Sequence, residues 1–343
     1  MNAMAIEGKR KYMIIALVGL LSLSLAGVAL IRAYVRHQDA LMRARQQEAI
    51  QNAETLLEAE RFHEAIPIYQ EILQNLTPKE SPSLYADIQR KLATCYLELA
   101  KSKNTAANLK AGAMAMEEAL ASMASHALSE DYGRLQKDLG AAYSELAVLR
   151  NPRGNYPRAI QANQEAAKIY SLNRHPEMYA HLQKAIGLAY RNLAEVVDTQ
   201  RNLVHAKDAF EATLAVYTLD NNPFEYGIAQ NNIGAILMGL ATGENQEMYL
   251  KAAVQSFEAA EAGFKPNIHP FDYALALNNK GLGYNNLSVV TKSNAYLDLA
   301  IKSFQQAMET IPSDSPPKFR NIIQTNLALA LERKKQMAQA KPK

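Results

Sequence analysis

Side chains able to do chemistry are plentiful in this chain, but they do not gather. His37, His63, His126, His175, His181, His205 and His269 are scattered, and no HExxH pair sets two of them at helical spacing to hold a metal. His175 and His181, the one close pair, span a helix start and read as surface residues. Cys95 is the single cysteine, so neither an intramolecular disulfide nor a cysteine-based metal cluster can form. One residue before Tyr96 in a helical pattern, it reads as a small hydrophobe. "GLG" at 281–283 lies inside a helical pattern and lacks the Lys-Ser/Thr ending of a phosphate loop. Carboxylates are spread as on ordinary helical surfaces. The chain is therefore read as a non-enzyme with no cofactor and no metal, and its formal charge of +3 gives no case for nucleic acid.

What recurs is a spacing. Tyr85, Tyr132, Tyr179, Tyr226 and Tyr273 are each 47 residues apart, and the next step falls on Arg320. Seven residues after each marker stand Leu92, Leu139, Ile186, Ile233, Lys280 and Leu327, followed by Ala93, Gly140, Gly187, Gly234, Gly281 and Ala328. Eleven residues in come Tyr96, Tyr143, Tyr190, Leu237, Tyr284 and Leu331. Offsets of 0, 4, 7, 8 and 11 mark one face of an α-helix. We call it helix A. A second row obeys the same period. Phe62, Leu109, Tyr156, Leu203, Leu250 and Leu297 precede by three a small residue (Ala65, Gly112, Ala159, Ala206, Ala253, Ala300), and by seven Tyr69, Met116, Asn163, Phe210, Phe257 and Phe304. This is helix B.

The punctuation agrees. Pro82, Pro176, Pro223, Pro270 and Pro317 stand three residues before the helix A marker, where a first-turn N–H needs no partner; only Ser129 breaks the column. "RNPRGN" (150–155) and "TGENQ" (242–246) read as turns between the helices. Gly inside a helix costs about 1 kcal/mol relative to Ala, so the glycine column implies a close approach, which we assign to the backbone of helix B. Neither helix can bury its apolar face alone, so neighbouring pairs must stack. At 48% hydrophobic and 21% charged residues the composition is globular, and 15 Gly with 13 Pro favours helix over sheet.

The N-terminus differs in kind. "MIIALVGLLSLSLAGVALI" (13–31) carries no charge and as a helix would reach about 28 Å, close to the ~30 Å apolar thickness of a bilayer. It follows a short tail (1–12) containing Lys9, Arg10 and Lys11. The expectation is an uncleaved single-pass anchor in the cell membrane with the repeats on the extracytoplasmic side; the alternative is a signal peptide cut near "SLAG" and a secreted array.

A small residue after Leu, Tyr three later, then Ala, an aromatic and Ala on the next helix resembles the tetratricopeptide repeat. Leu56, Ala65, Tyr69, Ile72 and Pro78 stand near that family's positions in its 34-residue form. Later units are stretched by seven residues between Tyr96 and Gly112 and six between Ala119 and Leu139, which together make 47 from 34. Gln89, Gln136, Gln183, Gln230 and Gln324 stand where the family has a large aromatic. The resemblance covers about 44–335, leaving a basic tail at 336–343. It implies an all-α solenoid of stacked antiparallel helix pairs, a right-handed superhelix preceded by one transmembrane helix. Thirteen helices are expected: one 34-like pair, five long pairs and a last helix from about Pro317 to Lys335 that closes the stack.

The resemblance further implies a concave groove lined by helix A that holds a peptide or helix of a protein partner. Its positions, carried over, include Arg90, Lys137, Lys184, Arg191, Asn231, Asn278 and Asn285: a basic first half and an amide-rich second half. Lys and Arg favour a carboxylate; Asn can pair with both groups of an extended backbone. "QNN" (230–232) and "LNN" (277–279) resemble the Asn-rich helices of kinesin light chain repeats. The bland readings stand beside these: solvated charges, and an Asn/Gln ladder between neighbouring helices. The expected function is a membrane-anchored interaction scaffold or assembly factor. Its alternatives are a regulator whose superhelix changes shape on binding a signalling peptide, and a structural homo-oligomer.

Overall fold

The computed structural model describes residues 25–123 and 129–339. Thirteen α-helices follow one another among them: α1 (Leu25–Glu58), α2 (Phe62–Gln74), α3 (Pro82–Ala100), α4 (Thr105–Ser122), α5 (Glu130–Leu149), α6 (Pro152–Ile169), α7 (Pro176–Leu193), α8 (Thr199–Leu214), α9 (Pro223–Leu240), α10 (Gln246–Gly263), α11 (Pro270–Thr291), α12 (Asn294–Thr310) and α13 (Pro317–Gln339). Each packs on its neighbours in the chain. The expected stack of helix pairs is therefore present, with odd-numbered helices of type A and even-numbered ones of type B. The A helices also meet one another directly, α5 with α7, α9 with α11 and α11 with α13, on one side of the stack that we call the A layer. Most of segment 13–31 lies outside the described residues; its end, 25–31, is the start of α1. Among the described residues no helix is long and apolar enough to cross a membrane.

Helix starts follow the proline column. Pro82, Pro176, Pro223 and Pro270 occupy the first turn of their helices. Where the column breaks, Ser129 caps α5 instead, its hydroxyl accepting from the Tyr132 N–H at 3.2 Å. The A-to-B turns are tighter than expected. Asn104, Asn151, Asp198 and Lys292 all sit at φ between 45° and 53°, on the same 47-residue period. Asn and Asp tolerate this left-handed region better than most residues. Asn108, Asn155 and Asn202 then donate Nδ2 to the carbonyls of Lys103, Arg150 and Val197 at 2.8, 2.8 and 2.7 Å, closing each turn. Residues 152–155, expected in a loop, are thus helical. At 243–245 a 3-10 turn with Gly243 at φ 64° replaces the device.

The glycine column has a different cause from the one expected. A Cβ on Gly187, Gly234 or Gly281 would lie 2.8, 2.6 and 2.6 Å from ring carbons of Phe210, Phe257 and Phe304. It is the aromatic ring of helix B, not its backbone, that fills the space. In the third unit Asn163 fills it against Gly140 at 2.5 Å, its Nδ2 donating to the Ala159 carbonyl at 2.9 Å. Where helix A carries Ala93, the same register of helix B supplies Met116, thinner and flexible. True backbone approach occurs elsewhere. A Cβ on Gly263 would strike the Pro223 carbonyl oxygen and lie 2.9 Å from Gly227 Cα.

Candidate partner-binding face

The A layer carries most of the residues expected to bind a partner, and it divides them. Lys137 enters an open furrow of 480 Å³ between α5 and α7. Ala141, Ser144 and Val148 of α5 form one wall, and His181, Ala185, Leu188 and Asn192 of α7 the other. Lys137, Ala141 and Ser144 are the offset-five, -nine and -twelve residues of α5 and Leu188 the offset-nine residue of α7, whereas Lys184 and Arg191 of α7 do not line the furrow. Glu145 of α5 and Tyr156 and Asn163 of α6 also line the furrow, whose surface is mostly apolar; Val148 is 73% exposed. Among the described residues the Lys137 ammonium meets Asp138 alone as an ion-pair partner, at 3.4 Å. Along their length no side-chain hydrogen bond joins α5 to α7 among the described residues. His175 and Glu130 approach to 3.9 Å at the N-terminal ends. Arg90 is exposed on α3 and pairs with Asp87 at 2.6 Å.

Further along, the A helices are laced together. Lys184 Nζ donates to both carboxylate oxygens of Glu225 at 2.9 and 2.7 Å, linking α7 to α9. Arg191 donates to Asn232 Oδ1 across the same junction. Burial pushes the Arg191 guanidinium below its usual pKa, with the Glu195 and Tyr156 charges acting the other way. Asn279 donates to Asn231 Oδ1 at 3.0 Å, from α11 to α9. Asn326 donates to Asn278 Oδ1 at 2.9 Å and Arg333 to Asn285 Oδ1 at 2.9 Å, from α13 to α11. Five of the seven anticipated groove residues thus hold the neighbouring A helix. An amide has two lone pairs and two N–H groups, so one such bond leaves capacity for a ligand.

The partners Glu225, Asn326 and Arg333 escaped the sequence reading, whereas Asn232 and Asn279 lie in the "QNN" and "LNN" runs for which a ladder between neighbouring helices was one reading; a second tie escaped it as well. Gln70 donates to the Tyr96 hydroxyl at 2.9 Å, while Tyr143 donates to Glu117 at 2.7 Å and Tyr284 to Glu258 at 2.9 Å. Each pair is 26 residues apart and fastens an A helix to the B helix before it. That constant separation was the available signal. Burial, then the Glu117 bond, pushes the Tyr143 hydroxyl up to about 12. Among the described residues no group of three or more His, Cys, Asp or Glu side chains could hold a metal ion.

This geometry defines an α-solenoid of tetratricopeptide-like helix pairs. No protein-family model matches the chain, and no curated protein matches it. Among solved structures it is similar to PilF of Pseudomonas aeruginosa, at 19% identity over 78% of this chain and 93% of that one, with a TM-score of 0.40. It is also similar to the apo form of the quorum sensor NprR from B. thuringiensis, at 13% identity, 95% and 80% coverage and a TM-score of 0.43. A third is the TPR2AB domain of yeast Sti1 in its pHSP90 complex, at 14% identity, 84% and 98% coverage and 0.29. Likenesses of this size carry no functional inference, which rests below on the chain's own residues.

Proposed function

We propose that this chain is a membrane-anchored interaction scaffold that holds a peptide or helix of another protein against its A layer. The observation that carries the reading is the furrow between α5 and α7. Among the described residues no side-chain hydrogen bond laces these two A helices along their length, and the furrow offers a mostly apolar lining for a partner's side chains with Lys137 for a carboxylate. Arg90 extends the basic half on α3. The laced junctions from α7 to α13 fix the spacing of those helices, so that part of the layer, the α7 wall of the furrow included, is preformed. Lys184, Arg191, Asn231 and Asn285, which are half-buried, then offer a remaining donor or acceptor to the same ligand, whereas Asn278 is buried beneath them. Residues 13–31 anchor the array, with the repeats on the extracytoplasmic side.

The test places a photo-crosslinking residue at Ala141 in the full-length protein in its native host, with Val204 of α8 as an exposed control off the A layer. A discrete partner captured from Ala141 and not Val204, and lost with Lys137→Glu, supports the reading. Equal capture from both positions, or none from Ala141, overturns it. Extraction of the full-length protein by alkaline carbonate would refute the anchor.

A further inference from the structure

Two side chains of α6 break apolar columns of the repeat, and both line the furrow between α5 and α7. Tyr156 stands in a column that is otherwise Phe62 and leucines, and Asn163 in one that otherwise holds an aromatic ring or Met116. Seven residues apart, they share one face of their helix. Tyr156 is 5% exposed and Asn163 2%. The Asn163 Nδ2 donates to the Ala159 carbonyl, but among the described residues no hydrogen bond reaches its Oδ1. The Tyr156 hydroxyl has no hydrogen-bond partner among them either. Unlike the enclosed Tyr69 hydroxyl, neither oxygen is sealed from solvent. Buried polar atoms are ordinarily paired, so these two oxygens form an unfilled hydrogen-bonding site at the floor of the furrow.

We infer that this floor is a subsite for a neutral carboxamide, the side chain of a glutamine on the bound partner. The inference rests on the furrow holding a partner, as proposed above, and names the residue by which that partner is anchored. The floor offers a hydroxyl donor at Tyr156 and a carbonyl acceptor at Asn163. A carboxamide carries the matching acceptor and donor on two separate atoms, and the two methylenes of glutamine suit the apolar walls made by Ala141, Ala185 and Leu188. An ionised group is disfavoured there. The charged residues that line the furrow, Lys137 and Glu145, stand on α5 and not on the floor. The Arg191 guanidinium near Tyr156 is engaged with Asn232 and does not line the furrow. A carboxylate or ammonium brought to Tyr156 and Asn163 would lose its water without gaining a counter-charge.

The probe is a phage-displayed library of random dodecapeptides selected on the full-length protein in detergent micelles. Peptides are kept where Ala141→Arg, which fills the furrow from an exposed position of α5, abolishes binding. These are expected to share a glutamine. Replacing it by Met, of similar size but apolar, or by Glu should weaken binding at least about ten-fold. Tyr156→Phe in the protein should weaken the glutamine peptide about ten-fold, leave the Met peptide unchanged and not lower the melting temperature, since the hydroxyl it removes is unpaired. Asn163→Leu should act in the same direction. Furrow-dependent peptides with no common glutamine, or a glutamine whose replacement costs as much in the Tyr156→Phe protein, would overturn the subsite while leaving the furrow as the binding face. A Tyr156→Phe protein that melts lower with unchanged affinity would overturn it too, by giving the hydroxyl a structural role. No peptide sensitive to Ala141→Arg would overturn the furrow reading itself, and the subsite with it.

Discussion

Gly234→Ala tests the packing rule on which the solenoid is built. The new Cβ would lie 2.6, 2.7 and 2.9 Å from Cε1, Cδ1 and Cζ of Phe257, where carbon atoms rest comfortably at about 3.5–4.0 Å. Three contacts must open by roughly an ångström, and the ring has nowhere to go because Phe257 is fully buried. Overpacking of this kind costs about 1–3 kcal/mol. The substitution also recovers about 1 kcal/mol of helix propensity, so the net loss should reach up to about 2 kcal/mol. The sharper expectation concerns the partner. In a Phe257→Met background the ring is gone, as in the Ala93–Met116 unit, and Gly234→Ala should become stabilising by up to about 1 kcal/mol. Urea unfolding of the four proteins of the cycle, with hydrogen exchange of α9 and α10 amides, measures both, since stacked repeats open unit by unit. The same sign and size of effect in both backgrounds would refute the ring-in-pocket account.

Three further substitutions follow from the geometry. Among the described residues the buried Tyr69 hydroxyl has no hydrogen-bond partner, so Tyr69→Phe should stabilise the first unit by about 1 kcal/mol, read as a higher melting temperature; a loss would mean the hydroxyl has a role. Asn326→Ala strands Asn278 Oδ1, which belongs to a residue only 4% exposed, and should cost about 1–3 kcal/mol, with α13 amides exchanging faster than those of α5. Burial pushes the Cys95 thiol up to about 11. The folded state therefore keeps a proton that the unfolded chain releases above about pH 9. The thiol's contribution is fully present below that pH and is lost as pH rises towards 11. The difference in melting temperature between the unaltered protein and Cys95→Ala should shrink over that window, and a flat difference would contradict it.

The architecture was legible because a solenoid is nearly one-dimensional. Each helix meets only its chain neighbours and the next unit, so contacts repeat whenever the sequence does. Tyr132, Leu139 and Gly140 could be assigned to one helix face by spacing alone, and Pro176 or Pro223 to a helix start by the missing N–H. Lys137, Ala141 and Leu188 could be placed on one side of their helices for the same reason, and the structure brings them to one furrow. The turns were harder to read, because Asn151 and Asp198 act through a left-handed backbone that no hydrophobic period records. Proline and glycine at 152–154 looked like loop residues, although proline is equally at home in a helix's first turn.

By itself the sequence determined the helix pairs, their count and period, and which face of each is apolar, because these depend on local propensity and a regular spacing. Only the tertiary structure decided how those faces are used. The glycines could be seen to need space, but whether backbone or side chain entered it depended on the crossing of two helices, and the answer was Phe210, Phe257 and Phe304. Asn231 and Asn278 could equally face a ligand or a neighbour, since an amide donates and accepts in either setting. Their bonds to Asn279 and Asn326 arise from the separation of adjacent A helices, a distance set by the side chains packed between them rather than by any residue's own chemistry.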